Sequence, residues 1–145
     1  MNRYKFTFAL ILVGLLVASV GCSSRTGDQL AVHVTTGQIQ FEGQPLPGSL
    51  IVLHPKDRSN PKLLPAVGKS DAAGNFTLTT YKQNDGAIAG EYAVTVEYSQ
   101  LVQNGDEIVN SGNLVPPQYV QANTTELQVR VADGLNQLPV LNLHR

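Results

Sequence analysis

Cys22 is the only cysteine among the 145 residues, so its thiol has no disulfide partner within the chain. Its surroundings are specific. Arg3 and Lys5 give a basic start, Phe6 to Val20 is a nearly uncharged and mostly apolar run, and small residues, Ser19-Val20-Gly21, stand just before the cysteine. This is the layout of a secretory signal peptide cut between Gly21 and Cys22. The apolar run is short for a transmembrane helix, which needs about 20 apolar residues. Cleavage there leaves Cys22 as the new amino terminus.

The remaining groups that could do chemistry are scattered. His33, His54 and His144 make no closely spaced pair, and no second cysteine joins them, whereas zinc sites show tight local spacing. Asp71-Ala72-Ala73-Gly74-Asn75 lacks the alternating oxygen ligands of a calcium loop and reads as a turn. No serine sits in a nucleophile elbow. These residues predict no catalytic residue, no metal, no cofactor and no enzyme. Tryptophan is absent, so the aromatic candidates for ligand contact are Tyr81, Tyr98 and Tyr119.

Ser19-Val20-Gly21-Cys22 resembles the bacterial lipobox, with Ser19 where that family prefers leucine. The resemblance implies diacylation of the Cys22 thiol, cleavage before it and acylation of the freed amine. Two or more acyl chains anchor a protein stably where one does not. Ser23 follows Cys22. By resemblance to lipoprotein sorting rules, the lack of aspartate there favours the outer over the inner membrane of the cell envelope.

The elements that must carry these residues are short. Length fits one domain after the signal peptide: residues 1–21 the signal peptide, 22–30 the lipidated cysteine and a flexible tether, 31–145 the folded unit. Lys and Arg number 10 against 11 Asp and Glu. Losing Arg3 and Lys5 leaves the remainder more acidic, with no basic stripe for a nucleic acid. From Leu30 onward no helical period is sustained. Alternating runs are separated by Gly, Pro, Asn and Asp. Val32 and Val34 alternate on one parity and Ile39 and Phe41 on the other, predicting a bulge near Thr36-Gly37. Residues 91–99 form the clearest strand, with Tyr92, Val94, Val96 and Tyr98 on one face and Glu91, Ala93, Thr95 and Glu97 on the other, wet face. Residues 56–65 and 100–117 read as long polar loops. About seven strands are expected, as in a sandwich.

The chain also resembles the transthyretin-like, carboxypeptidase-regulatory-type β-sandwich of short bacterial lipoproteins. The matching residues run in order. Gly37-Gln38-Ile39 with Gly43-Gln44-Pro45-Leu46 forms an opening hairpin, and Val52 to Pro55 a strand. Gly68 to Leu78 matches a turn and strand, Gly90-Glu91-Tyr92-Ala93-Val94-Thr95-Val96 a further strand, and Leu127-Gln128-Val129 through Asn136 the close. The resemblance implies a single seven-stranded antiparallel Greek-key sandwich and carries no catalytic residue. The 5-hydroxyisourate hydrolases share that fold but end in a Tyr-Arg-Gly-Ser motif, which Leu143-His144-Arg145 does not match. The expected function is a membrane-anchored, non-enzymatic envelope lipoprotein with a structural or partner-binding role, its partner an envelope protein or glycan. The alternative is a carbohydrate- or peptide-binding module using the loops 56–65 and 100–117.

Overall fold

The computed structural model describes residues 29–145. The expectations placed on Gly21 and Cys22 lie outside them. Among the described residues no helix is long and apolar enough to cross a membrane.

The chain folds as an all-β sandwich, cut by turns into segments shorter and more numerous than the seven strands expected. Thirteen lie among the described residues: β1 (Val32–His33), β2 (Thr35–Phe41), β3 (Gln44–Pro45), β4 (Leu50–Pro55), β5 (Ala66–Lys69), β6 (Asn75–Thr77), β7 (Ala87–Ile88), β8 (Gly90–Glu97), β9 (Leu101–Asn104), β10 (Glu107–Asn110), β11 (Gln128–Val131), β12 (Asn136–Gln137) and β13 (Leu141–Leu143). One antiparallel sheet has the order β11-β8-β4-β5. The other is built on β2, which pairs antiparallel with β3 and β6 and parallel with β12 and β13. The purely antiparallel expectation therefore fails at the carboxy-terminal strands. Pro139 lies between β12 and β13, where its missing N–H cannot interrupt a ladder.

Alternation puts one face of each sheet inside. Ile51, Leu53, Tyr92, Val94, Val96, Val129 and Val131 come from the first sheet. Ile39, Phe76, Leu141 and Leu143 come from the second, and all join one core. Burying a large aliphatic side chain contributes about 1.5–3 kcal/mol, so this core dominates the stability.

Local chemistry sets the turns. Glu42 and Gly43 link β2 to β3 with φ of 49° and 75°. That is the type I′ geometry whose twist matches a two-residue hairpin. At Asp71, the carboxylate accepts N–H bonds from Ala73 (2.9 Å) and Asn75 (2.8 Å), as the turn reading requires.

Three local expectations are corrected. The change of parity falls at Val34, between β1 and β2, and not at Thr36-Gly37. The chain leaves its pairing with β7 there, and β2 then alternates without a bulge, with Thr35, Gly37 and Ile39 inward. Secondly, the second face of β8 is not wet at its centre. Ala93 and Thr95 are buried, because their cross-strand neighbours His54, Gln128 and Val52 cover them. Thirdly, residues 100–117 are not a plain loop. Glu107 pairs with Asn104 and Asn110 with Leu101 in a two-stranded hairpin closed by Gly105-Asp106.

Candidate functional site

The sequence-derived tyrosines do not form one platform. Tyr119 is fully buried. Its hydroxyl sits 3.2 Å from a Glu126 carboxylate oxygen and accepts the His144 N–H at 3.1 Å. Tyr81 accepts the Leu30 N–H at 3.2 Å, which ties the start of the folded unit to the loop before β7. Tyr98 is half-buried against the core, and its hydroxyl bonds Gln100. Tyr81 lies close enough to Tyr92 for their charges to interact. Tyr98 stands six residues further along the strand direction, about 20 Å away at ~3.4 Å per residue.

The histidines are equally separate. His33 Nδ1 accepts the Gly134 N–H at 2.9 Å, and its Nε2 lies 3.2 Å from Asp133. His54 pairs with the Thr95 hydroxyl at 2.8 Å. Burial, then the nearby Arg58 charge, holds its pKa below the ordinary imidazole value. His144 lies 3.8 Å from Glu42. Among the described residues no three His, Cys, Asp or Glu side chains group as a metal site.

A groove lies where the two sheets part. Strand β5 is stitched to the chain just past β6 by one bridge: Val67 N–H to Thr79 carbonyl (2.9 Å) and Thr79 N–H to Val67 carbonyl (2.8 Å). Beyond it β6 turns away to pair with β2, and a groove of about 750 Å³ opens. That volume falls within the usual range for ligand sites, about 300–1,000 Å³. Its inner limit is Phe76. The ring packs so closely on Gly37 that a Cβ there would lie 2.5 Å from its tip, and a Cβ on Gly68 would lie 3.2 Å from its edge. Two strand glycines thus let a phenylalanine close the core beneath the groove.

The groove wall mixes polar and apolar groups, with Lys69 and Asp71 its charged side chains. Outward-facing Gln38 of β2, Asn75 and Thr77 of β6, and Gln137 of β12 line it, with Gln83 and Asn84 on the rim. The rim loop is held rigidly. The Asp85 carboxylate accepts N–H bonds from Thr80 (2.7 Å), Tyr81 (3.0 Å) and Lys82 (2.7 Å). The Asn84 N–H donates to Thr79 Oγ1 at 2.9 Å. Partial burial pushes the Asp85 pKa up, but the three backbone donors outweigh it and hold the carboxyl below its ordinary value. Such a wall can hold a ligand by hydrogen bonds and apolar contact.

The sequence reading did not single out these amides. A signal existed: the outward positions of β2 are Thr36, Gln38 and Gln40, neutral donors and acceptors where exposed strand faces usually carry charges. What could not be read was that β6, β12 and the 80–86 loop converge on them.

Of the two loops proposed from sequence, 56–65 is an exposed loop bordering a second cavity of about 490 Å³ between Leu63 and Tyr92. The 100–117 segment carries the hairpin of β9 and β10, with Leu101 and Ile108 at 75% and 73% exposure.

No protein-family model and no curated protein matches this sequence. Among solved structures it is similar to a candidate carbohydrate binding protein from Pseudomonas aeruginosa. The identity is 15% and the TM-score 0.43, over 81% of this chain and 90% of that one. It is also similar to part of a 9R-lipoxygenase from Cyanothece. There the identity is 16% and the TM-score 0.40, over 78% of this chain and 16% of that one. Neither likeness is close enough to carry an assignment.

Proposed function

We propose that this chain is a lipid-anchored binding protein of a bacterial cell envelope, acting without catalysis. The observation that carries the reading is Ser19-Val20-Gly21-Cys22: the only cysteine stands where signal cleavage makes it the amino terminus. Nine residues, 23–31, separate Cys22 from β1, which begins at Val32. The domain held there is a β-sandwich. The order of its turn and strand motifs supports a transthyretin-like, carboxypeptidase regulatory-like unit. Ser23 in place of aspartate favours the outer membrane. The role assigned is binding of an envelope component, because the groove between β5 and β6 offers both hydrogen-bonding and apolar groups to a ligand.

A second reading places the binding surface at the loop 56–65, favoured by the cavity it borders. Substitutions there and in the groove separate the two readings.

The anchor is tested by intact mass and membrane fractionation of the full chain expressed in a bacterial host, beside Cys22→Ala. The expected result is a mass matching cleavage before Cys22 plus acyl chains, with the protein in the membrane fraction. Both features should be lost in the variant. An uncleaved chain, or a cleaved chain without acyl mass, overturns the anchor.

A further inference from the structure

We infer that the groove between β5 and β6 binds a neutral, hydroxyl-rich ligand, a segment of uncharged glycan. The inference deepens the binding role proposed above and rests on it, but it does not rest on the lipid anchor.

Side-chain hydrogen-bonding groups open to water converge there. The amides of Asn75, Gln83 and Gln137 and the hydroxyl of Thr77 face the groove, and none bonds another side chain or backbone group among the described residues. Comparable groups nearby are tied up locally. The Gln38 amide donates to the Ala73 carbonyl at 3.1 Å, and the Asn136 amide to the Ala132 carbonyl at 2.9 Å. A carboxamide presents a donor and an acceptor side by side, which matches two adjacent sugar hydroxyls. The free amides come from three separate segments, so a ligand of more than one residue can meet them together.

Charge and apolar surface narrow the ligand. Lys69 and Asp71 are the charged groups on the wall. They are opposite in sign, and Asp71 is already engaged by its own turn. A phosphate, a nucleic acid or an acidic peptide finds no excess of positive charge there. Leu50, Val67 and Val140 add apolar strips with exposures of 36%, 38% and 49%, suited to the C–H faces of sugar rings. At the mouth of this groove Val67 gives both of its backbone groups to Thr79, so a peptide cannot add as a strand at that residue.

The test is a titration of the full chain in detergent micelles, labelled so that side-chain amide resonances are followed. The probes are neutral oligosaccharides of glucose, mannose and N-acetylglucosamine, with a polyuronate and a threonine- and asparagine-rich peptide beside them. Saturable shifts of the Asn75, Gln83 and Gln137 amides with at least one neutral oligosaccharide are expected. Gln83→Ala and Gln137→Ala remove side chains with no internal partner, so the fold is retained. Each should weaken binding about 3- to 10-fold, the effect of one neutral hydrogen bond. No shift at about 10 mM, some tenfold above a millimolar Kd, overturns the inference. So do shifts with the polyuronate or the peptide alone, and so does glycan binding unchanged in both variants. Intact mass of the unsubstituted chain, read beside this titration, separates the two proposals. A chain without acyl mass that still binds glycan removes only the anchor, and an acylated chain without glycan binding removes only the ligand.

Discussion

The Tyr92 hydroxyl donates a 2.6 Å hydrogen bond to the Ile88 carbonyl, four residues upstream and inside the core. It closes the corner where β7 leads into β8, so one side chain fills the sandwich and fixes the path of the chain entering it. Tyr92→Phe keeps the ring and leaves a buried carbonyl without its donor. That should destabilise the fold by about 1–2 kcal/mol, measured by denaturant unfolding. Burial, with the Tyr81 charge, pushes the phenol up to about 12 from 10.0. The neutral phenol's contribution to stability is therefore whole below pH 10 and is lost as pH rises through about 12. Spectroscopic titration at 295 nm, compared with Tyr92→Phe, should show this one phenol ionising late.

Gly86 and Gly43 should respond very differently to alanine. Both have positive φ, 101° and 75°. A Cβ at Gly43 meets open space, whereas one at Gly86 lies 1.8 Å from the His33 carbonyl oxygen. Gly43→Ala should cost only the backbone strain, about 1–2 kcal/mol. Gly86→Ala adds a backbone clash that must push β1 from β7, and should cost more than ~3 kcal/mol. Equal costs in thermal or denaturant unfolding would show that β1 does not dock as described.

Asp85 holds the groove rim through three backbone donors. Its folded pKa lies below the ordinary value. Its contribution is thus present above that value and is lost as pH falls through the depressed folded pKa. Asp85→Asn should remove the charge-assisted part, about 1 kcal/mol at this partly exposed site. The difference from the parent should vanish in strong acid. A pH-independent difference would mean the loop is held by packing alone.

Leu101 and Ile108 of the hairpin are mostly exposed and lie on the same face of its two-stranded ladder. Replacing both by threonine should leave unfolding free energy within about 0.5 kcal/mol, as for surface sites generally. A large loss of stability would show that the hairpin packs on the body.

Ser49 and Ser70 form a buried hydroxyl pair at 2.9 Å. Ser70 also accepts the Ser49 N–H (2.9 Å) and donates to the Leu46 carbonyl (2.6 Å). Ser70→Ala should cost about 1–3 kcal/mol, because two buried groups lose a partner without regaining water. Hydrogen exchange at the Ser49 amide should accelerate with it.

The sequence by itself determined what depends on neighbours along the chain. Asp71 through Gly74 marks a turn, and the alternation of Tyr92, Val94 and Val96 identifies an inward face. Turn geometry and the two-residue period are local, so these were legible. The tertiary structure alone decided which faces meet. Ala93 and Thr95 read as wet, yet partners from β4 and β11 bury them. Tyr119 read as a surface aromatic, yet it lies in the core because the short helix at Pro117–Tyr119 carries it there. The parallel pairing of β13 with β2 joins residues about a hundred positions apart. The groove follows from where β6 leaves β5 for β2, a choice among strand partners that long-range pairing and core packing make together. No stretch of sequence shorter than the whole fold contains that choice.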